Sequence, residues 1–294
     1  MAERPRIGFI GIGMLGSAVV ERLLARGWSV AVWNREPERY ALVEPKGARP
    51  MASPAAVAEA SDILFTCVLH GPAVENCCFG PAGIAEAKNG ARTLIDLSTI
   101  NPDETLALAP RLKAANGMDW LDAPVSGGPP AAREGKLTIM VGGDAAVLEH
   151  CRAVLAEISG NLTHMGPLGA GQTTKILNQA IVGTGYVLMA ETLALAKEAG
   201  IDPALLPQAL AGGLADGGVL QKVYPVMAED AFSRPFGSAH QLNKDMQNVK
   251  KFAEKHGCEL PVVKAAVEQY RRFTEAGNEM AEGMSISRFY RRSG

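Results

Sequence analysis

Residues 6–24, RIGFIGIGMLGSAVVERLL, decide the fold of the first half of the chain. An apolar run ends at Ile10, and Gly11-x-Gly13-x-x-Gly16 follows it directly and opens a helical pattern. In this order Gly11 permits a tight turn, Gly13 lets the backbone approach a pyrophosphate, and Gly16 lets helix and strand pack closely. The first-turn amides and the helix dipole then face the phosphates. The segment therefore predicts a strand, a turn and a helix that bind a dinucleotide.

A dinucleotide bound at this turn would contact its glycines and the two residues that begin the helix. We expect these cofactor contacts from Gly11, Gly13, Met14, Leu15 and Gly16. The alternative is that the glycines only shape a loop. Their position between an apolar strand and a helix disfavours that alternative.

The second predicted strand runs into VAVWNREPER, residues 30–39, and its end indicates which dinucleotide binds. NAD sites usually place an acid there to hold the ribose 2′-hydroxyl, but this chain has Asn34 followed by Arg35. The planar fork of an arginine can bind a 2′-phosphate, and Asn34 can hydrogen-bond the same oxygens without charge. Glu36 follows, and we expect its side chain to point to the opposite side from Arg35. The pattern favours NADP(H) over NAD(H), with a solvated arginine after an edge strand as the alternative.

The first 165 residues alternate short apolar runs with amphipathic helical patterns. This alternation is typical of right-handed crossovers and of a mostly parallel sheet covered on both faces. The predicted strands cover residues 6–10, 29–33, 63–68, 93–96, 120–123 and 137–141. We expect an α/β fold in which residues 1–165 form an NADP-binding domain with a Rossmann-type doubly wound sheet.

The pattern changes to helix alone after about Pro167. Residues 169–200 lack proline and are apolar nearly all round, which predicts one long interdomain helix buried between other elements or subunits. Further helices are predicted at residues 203–211, 241–255 and 261–276, and no strand is predicted there. Residues 166–294 are therefore expected to form an all-α substrate and dimerisation domain that begins with the long helix.

Composition excludes several functional classes. The chain has 294 residues, a net charge of -2 and a pI of about 6.2, and it has no basic stripe for nucleic acid. Its N-terminus lacks the layout of a signal peptide, and we expect no membrane span. The five cysteines form an odd set without metal-ligand spacing, which favours a reducing compartment over a disulfide framework or a zinc site. We expect a cytoplasmic protein in which Cys77 and Cys78 are buried apolar residues rather than a redox pair.

Three further stretches carry the chemistry: DLSTINP at residues 96–102, DAPVSGGPPAAREGKLTIMVGGD at residues 122–144 and GPLGAGQTTKILNQ at residues 166–179. Together with the glycine turn, and in this order, they resemble the β-hydroxyacid dehydrogenase family. That family includes 3-hydroxyisobutyrate dehydrogenases, tartronate semialdehyde reductases and glyoxylate/succinic semialdehyde reductases. The resemblance covers essentially the whole chain. It implies an oxidoreductase that interconverts a small β-hydroxyacid and its semialdehyde or keto acid.

Lys175 and Asn178 are the candidate catalytic residues. They stand three apart in the long predicted helix and so share one face. Burying these polar side chains in an apolar helix costs free energy, which suggests that they have a function. Desolvation also lowers the pKa of a lysine towards neutrality. Hydride transfer leaves an alkoxide that needs a proton, which Lys175 can give in reduction and take in oxidation. The resemblance implies the same role, with Asn178 orienting the lysine or the substrate; the alternative is a lysine that snorkels from a helix edge.

Ser126, Gly127 and Gly128 are the candidate substrate-binding residues. They stand at a strand end, where exposed amides and one hydroxyl can hold a carboxylate. By pattern alone the segment is equally consistent with a simple turn. The resemblance implies that these three residues contact the substrate.

The resemblance also implies cofactor contacts further along the chain. They come from Val68, Leu69, Thr99 and Lys244. Asp245, which follows Lys244, is implied to hold that lysine in place. From the sequence alone the two charges would be interpreted as an ordinary helix surface.

Other interpretations of the sequence stay open. Imine reductases share the two-domain plan, but they generally carry Asp or Tyr where this chain has Lys175, and a protonated lysine would repel an iminium ion. Relatives that act on 6-phosphogluconate need a longer helical region than 294 residues provide. Outside catalysis the alternative is an inactive cofactor-binding protein. The presence of Lys175, Asn178, Ser126 and Lys244 argues against it.

The second domain is expected to form an interface with another copy of the chain. The resemblance implies pairing through this domain, and a small domain built round an apolar helix has little else to cover that helix. We expect a homodimer or homotetramer that acts on a small molecule, with no nucleic-acid or membrane partner.

Overall fold

The structure is a computed structural model that describes residues 4–232 and 237–290. The chain divides into two compact units, Met1–Lys175 and Ile176–Gly294. The first unit combines a sheet with helices. The regular elements in the described residues of the second unit are helices, joined by turns and loops, with an isolated β-bridge between Ser238 and Glu282. The predicted α/β fold with an all-α C-terminal part is therefore confirmed.

Within its described residues the first unit holds a nine-stranded sheet. The strands are β1 (Ile7–Ile10), β2 (Val30–Trp33), β3 (Arg49–Pro50), β4 (Ile63–Thr66), β5 (Thr93–Asp96), β6 (Asp119–Asp122), β7 (Val125–Ser126), β8 (Leu137–Gly142) and β9 (Ser159–Gly166). Six of them lie parallel in the Rossmann order β3-β2-β1-β4-β5-β6. β8 is antiparallel to β6 and β7, and β9 is parallel to β8. The carboxyl ends of the six parallel strands therefore meet at one edge of the sheet.

Helices cover both faces of this sheet, which confirms the doubly wound arrangement. They are α1 (Met14–Ala25), α2 (Pro54–Glu59), α3 (Gly71–Phe79), α4 (Pro102–Asn116), α5 (Gly128–Glu134) and α6 (Ala145–Ile158). Phe9 and Phe65 belong to the apolar core that α1 and α6 cover, while Ile10 and Leu64 belong to the core under α2, α3 and α4. Because both faces are buried, the central strands read as continuous apolar runs in the sequence.

Three strands, β3, β7 and β9, are missing from the sequence prediction. β3 and β7 have two residues each, and β9 is mostly exposed. All three lie at the margins of the sheet. Strands at a margin lack the continuous apolar run of a central parallel strand, so the hydrophobic pattern does not reveal them.

The long predicted helix is α7, Ala170–Glu198, and its residues 170–175 belong to the first unit. The later helices are α8 (Leu206–Leu210), α9 (Gly218–Lys222), α10 (Tyr224–Ala228), α11 (Ala239–Lys255) and α12 (Pro261–Phe273). The helix predicted at residues 203–211 is a short 3-10 turn followed by α8, because Pro207 near the start of α8 has no amide donor. The core of the second unit forms round buried side chains such as Tyr224, Met246 and Tyr270.

One face of α7 is not covered by the described residues of the chain. Leu177, Ile181, Leu188 and Leu195 are between 54% and 71% exposed, and their spacing places them on one side of the helix. We call these four residues the α7 stripe. The sequence predicts that the helix is buried between other elements or subunits, and residues 4–232 and 237–290 cover only part of it.

The length and composition of α7 would also allow it to cross a membrane, alone among the helices of the described residues. A single such helix is weak evidence for a membrane span, because long apolar helices of soluble proteins meet the same criteria.

Candidate active site

The glycine turn between β1 and α1 leaves the first turn of α1 open. Gly13 is the N-cap of α1, and no side chain of the described residues accepts a hydrogen bond there. The first turn also carries no acidic residue. Its amides and the positive end of the helix dipole are therefore available to an anion. This arrangement fits the pyrophosphate of a dinucleotide.

The three glycines of the turn differ in what constrains them. A Cβ on Gly11, whose φ is +103°, would lie 2.3 Å from the carbonyl oxygen of Cys67, and a Cβ on Gly16 would lie 1.9 Å from the carbonyl oxygen of Gly11. Both positions are therefore required by close packing of the backbone. A Cβ on Gly13 would have no atom within 4 Å. The space above Gly13 is open, as the close approach of a pyrophosphate requires.

The two residues after Gly13 differ in exposure. Met14 is 42% exposed at the start of α1. Leu15 is half-buried and packs against the core under α1.

Asn34 ties the glycine turn to the end of β2. Its Oδ1 accepts a hydrogen bond from the backbone N–H of Ile12 at 2.6 Å. The backbone N–H of Asn34 in turn donates to Tyr40 Oη at 3.2 Å. The side chain of Asn34 is thus held in place, with its Nδ2 directed towards Glu36.

Arg35 and Glu36 form an ion pair, and the expectation that their side chains point to opposite sides is wrong. Arg35 Nε donates to Glu36 Oε1 at 2.6 Å. Side chains alternate only within a strand, and β2 ends at Trp33, so residues 34–36 leave the strand as a bend. The guanidinium of Arg35 lowers the pKa of the Glu36 carboxyl below its ordinary value, against a smaller opposing effect of burial.

The loops after β4 and β5 lie beside the turn at the same edge of the sheet. The backbone N–H of Val68 donates to Ser98 Oγ at 3.0 Å. Leu69 is 41% exposed and Thr99 is half-buried. The residues implied as cofactor contacts, Val68, Leu69 and Thr99, therefore stand where the carboxyl ends of two neighbouring strands meet.

Ser126, Gly127 and Gly128 connect β7 to α5. Gly127 has a φ of +122°, and a Cβ there would lie 2.7 Å from the Cβ of Ala131. This is a left-handed conformation in which glycine is favoured. Ser126 and Gly128 are half-buried and Gly127 is exposed, so the segment remains accessible to a small ligand.

Asp122 anchors the beginning of α7 to the sheet. It ends β6 and is fully buried. Its Oδ1 accepts from the N–H of Gly169 and its Oδ2 from the N–H of Gln172, each at 2.8 Å. Burial raises the pKa of this carboxyl and the backbone hydrogen bonds oppose that rise. A carboxylate at a helix N-terminus pairs with donors that the helix leaves unsatisfied.

Gln172 links the same helical turn to the loop that carries Thr99. Its Nε2 donates to the carbonyl oxygen of Ser98 at 2.7 Å, and its Oε1 accepts from the N–H of Ile100 at 3.2 Å. Both flanks of Thr99 are therefore held by one buried amide. Lys175 lies three residues after Gln172 and is only 7% exposed.

Sequence reasoning assigned no role to Asp122 or Gln172. Both residues lie inside the quoted stretches. The sequence signal for them is an acid at the end of a strand together with a glutamine at the glycine-rich start of a helix.

Asp96 is a second buried carboxylate at this edge of the sheet. It ends β5, directly beside Asp122 in the register of the two strands. Its Oδ1 accepts from Thr66 Oγ1 at 2.8 Å and from the N–H of Ser98 at 3.0 Å. Burial raises its pKa from 3.8 to about 6, and the neighbouring Asp122 adds to the rise.

The second unit links Asn178 to Lys244 through two hydrogen bonds and an ion pair. Asn178 Nδ2 donates to Gln179 Oε1 at 2.8 Å, and Gln179 Nε2 donates to Asp245 Oδ2 at 2.6 Å. Lys244 Nζ lies 3.1 Å from Asp245 Oδ1. Gln179 is the link that sequence reasoning missed, because it joins residues 66 positions apart.

The cysteines do not form a reactive cluster in the described residues. Cys77 and Cys78 are buried in an apolar core, Cys67 is half-buried, and burial raises the pKa of Cys77 to about 11. A raised pKa keeps a thiol protonated and unreactive. No group of three or more His, Cys, Asp or Glu side chains in the described part of the chain could hold a metal ion.

Two family models match the chain. Residues 6–166 match the NAD binding domain of 6-phosphogluconate dehydrogenase, and residues 169–290 match the model described as NAD-binding of NADP-dependent 3-hydroxyisobutyrate dehydrogenase. The chain is 39% identical to 2-hydroxy-3-oxopropionate reductase of Escherichia coli over 251 residues, which cover 84% of this chain and 85% of that one. The chain belongs to the β-hydroxyacid dehydrogenase family. It is therefore an oxidoreductase with NAD(P)-binding domains.

Further comparisons show the same relationship. The chain is 37% identical to 2-(hydroxymethyl)glutarate dehydrogenase of Eubacterium barkeri over 203 residues, which cover 69% of this chain and 67% of that one. The solved 3-hydroxyisobutyrate dehydrogenase of Mycobacterium tuberculosis has a TM-score of 0.88 at 26% identity and covers 99% of this chain and 100% of its own. An imine reductase of Myxococcus stipitatus has a TM-score of 0.61 at 21% identity, covers 98% of this chain and 100% of its own, and shares the fold alone.

Substitutions at two glycines should separate cofactor binding from folding. We expect Gly13→Ala to leave the free energy of unfolding within about 0.5 kcal/mol of the wild type, because its methyl group meets open space. The same substitution should weaken dinucleotide binding at least about tenfold, because the pyrophosphate needs that space. Gly16→Ala should cost about 2 kcal/mol or more, because its methyl group meets backbone. Urea unfolding measures the stability of each variant, and dinucleotide titration measures its affinity for the cofactor. Unchanged dinucleotide binding by Gly13→Ala would contradict the placement of the pyrophosphate at Gly13.

Asp96 should make stability depend on pH. A folded-state pKa of about 6 against 3.8 means that the folded chain holds this proton more tightly. The free energy of unfolding should therefore fall as pH rises from about 4 to 6, by up to about 3 kcal/mol. Asp96→Asn lacks the charge, so its stability relative to the wild type should rise over that interval. Urea unfolding at several pH values tests this, with the exposed Glu44→Gln as control; a difference that stays constant with pH would contradict it.

Proposed function

We propose that this chain is an NADP(H)-dependent dehydrogenase that interconverts a small β-hydroxyacid and its semialdehyde or keto acid, with Lys175 as proton donor and acceptor. The observation that supports this most directly is the position of Lys175. It is buried in α7, one helical turn after Gln172, whose side chain holds the loop at Thr99. Burying a lysine is costly, and its position beside a dinucleotide-binding edge supports a role in proton exchange.

The proposed cofactor site uses the residues at the carboxyl edge of the sheet. Its contacts there are Gly11, Gly13, Met14, Leu15, Gly16, Asn34, Arg35, Val68, Leu69 and Thr99. Lys244 is proposed as a further cofactor contact on the family resemblance alone. The open N-terminus of α1 supports pyrophosphate binding, and Arg35 supports a 2′-phosphate. A nicotinamide cofactor supplies or takes up a hydride when bound. Preference for NADP(H) over NAD(H) rests on Arg35 and Asn34.

The proposed proton transfer is carried by Lys175. In reduction its ammonium group donates a proton to the substrate oxygen as the carbonyl carbon receives a hydride, which gives the alcohol. In oxidation the neutral amine takes that proton back. Asn178 is proposed to orient the lysine or the substrate, and its hydrogen bond to Gln179 supports a fixed position.

The proposed substrate is a small acid with its reacting carbon β to a carboxylate. Two relatives are named for such molecules, 2-hydroxy-3-oxopropionate and 2-(hydroxymethyl)glutarate. Ser126, Gly127 and Gly128 are proposed to hold the carboxylate, because they offer amides and a hydroxyl without a competing charge. Imine reduction is the competing reaction, and a protonated Lys175 would repel its cationic substrate.

We also propose that residues 1–165 form the NADP-binding domain and residues 166–294 the substrate and dimerisation domain. The two family models meet between residues 166 and 169, which supports this division. A cytoplasmic location is proposed from the odd set of five cysteines, which favours a reducing compartment.

Loss of Lys175 should abolish turnover without loss of cofactor binding. We expect Lys175→Ala to lower kcat by about 100-fold to 10,000-fold, because the alkoxide loses its proton donor. The assay follows NADPH and then NADH oxidation with glyoxylate, succinic semialdehyde, tartronate semialdehyde, methylmalonate semialdehyde and one cyclic imine. Lys197→Ala, at the exposed end of the same helix, is the control and should be fully active.

The outcomes of this assay separate the candidate functions. Turnover of an aldehyde acid that the Lys175 variant loses supports the proposal. Turnover of the imine alone would make imine reduction the function. Dinucleotide binding without turnover on any substrate would favour an inactive cofactor-binding protein.

The α7 stripe should hold the chain in a homodimer or homotetramer. Four exposed apolar side chains in line on one helix are unfavourable in water and suit a second copy of the same helix. Light scattering should give at least twice the chain mass of 31.0 kDa. Ile181→Glu with Leu188→Glu should yield the monomer, whereas Leu214→Glu, at a fully exposed leucine outside the stripe, should not. A wild-type monomer at micromolar concentration would refute the proposal.

A further inference from the structure

We propose that Glu36 is a specificity-determining residue that shifts this cofactor site towards dinucleotides with a free 2′-hydroxyl and so restrains its preference for NADPH. The inference rests on the proposed NADP(H) site. It adds a residue that the cofactor pattern does not include and that acts against Arg35.

The carboxylate of Glu36 engages the donors that a 2′-phosphate would need. Arg35 Nε and Nη2 both reach Glu36 Oε1, at 2.6 Å and 2.5 Å. Asn34 Nδ2 donates to the other oxygen, Oε2, at 3.0 Å. One internal carboxylate therefore takes the place of an anion between the arginine fork and the asparagine amide.

Local structure keeps Glu36 at this position. Asn34 Nδ2 also donates to the carbonyl oxygen of Glu36 at 3.0 Å, so the backbone is tied to the same amide. Pro37 follows and begins a 3-10 helix, which restricts the backbone after Glu36. Tyr40 Oη, from that helix, accepts from the N–H of Asn34. The carboxylate is thus attached to a short, internally bonded segment rather than to a free loop.

The charge of Glu36 decides its effect on the two cofactors. The guanidinium of Arg35 lowers the pKa of Glu36, so the carboxylate is ionised at neutral pH. A 2′-phosphate competes with this carboxylate for Arg35 and lies near a like charge. A ribose 2′-hydroxyl carries no charge, and it can donate a hydrogen bond to a carboxylate. Glu36 therefore penalises NADPH and leaves NADH unpenalised.

The pair itself contributes little to folding. The side chains of Arg35 and Glu36 are 79% and 41% exposed, and exposed ion pairs add little to stability. Neutralising Glu36 should therefore leave the fold intact and change only the affinities for the two cofactors. This makes the position suitable for a binding test.

The test compares Glu36→Gln with a matched control, Glu38→Gln. Glu38 is an exposed glutamate two residues further on, in the first turn of the 3-10 helix. Dissociation constants for NADPH and NADH are measured by titration on the intact chain, together with 2′,5′-ADP and 5′-AMP as probes of the adenosine end. Thermal unfolding checks that each variant is folded.

We expect Glu36→Gln to raise the ratio of the NADH to the NADPH dissociation constant by about tenfold, mainly through tighter NADPH. The affinity for 2′,5′-ADP should rise in parallel, and Glu36→Ala should behave in the same way. Glu38→Gln should leave the ratio within about twofold of the wild type. A ratio unchanged by Glu36→Gln, or changed equally by Glu38→Gln, would overturn the proposal.

The result is separable from the proposed function. The ratio is measured against the wild type, so it can rise whichever cofactor the wild type prefers. A wild type that binds both dinucleotides and turns over no substrate would refute the proposed reaction and leave this test unaffected.

Discussion

The carboxylate of Asp122 holds the start of α7 against the sheet, and the arrangement of the candidate site depends on this interaction. A buried carboxylate is costly unless its oxygens are hydrogen-bonded, and here the amides of Gly169 and Gln172 bond them. These are donors that a helix leaves unpaired at its N-terminus. One buried acid thus satisfies otherwise unpaired amides and fixes the helical turn that precedes Lys175.

Such close docking explains why glycines surround the start of α7. A Cβ on Gly171 would lie 2.4 Å from the carbonyl oxygen of Asp122, and a Cβ on Gly142 would lie 2.5 Å from its Oδ1. With both side chains absent, the helix approaches the sheet closely enough for Gln172 to reach the loop at Ser98. Hydride and proton transfer need reacting groups held in a narrow range of geometry, and a helix anchored by buried polar groups meets that need.

The proposed adenosine end of the site combines opposing charges rather than a single charged residue. Arg35 and the open N-terminus of α1 favour phosphate, while Glu36 offers Arg35 and Asn34 an internal carboxylate. Selectivity between two cofactors is a difference of affinities, so a group that disfavours one cofactor matters as much as a group that favours the other. A single arginine after β2 is for this reason an incomplete guide to cofactor choice.

The sequence by itself determined the strand, turn and helix of residues 6–24, the doubly wound sheet, the long helix α7 and the family. These features depend on the spacing of motif residues and on the hydrophobic period within short segments. Both can be read directly from the sequence. Only the tertiary structure decided the marginal strand β9, the pairing of Glu36 with Arg35, and the networks of Asp122 with Gln172 and of Gln179 with Asp245. Most of these contacts join residues far apart in the chain, and a local pattern does not record such contacts because they arise when the chain packs. The Glu36 contact is local, but it depends on the bend that follows β2, and the strand pattern does not specify how side chains point there.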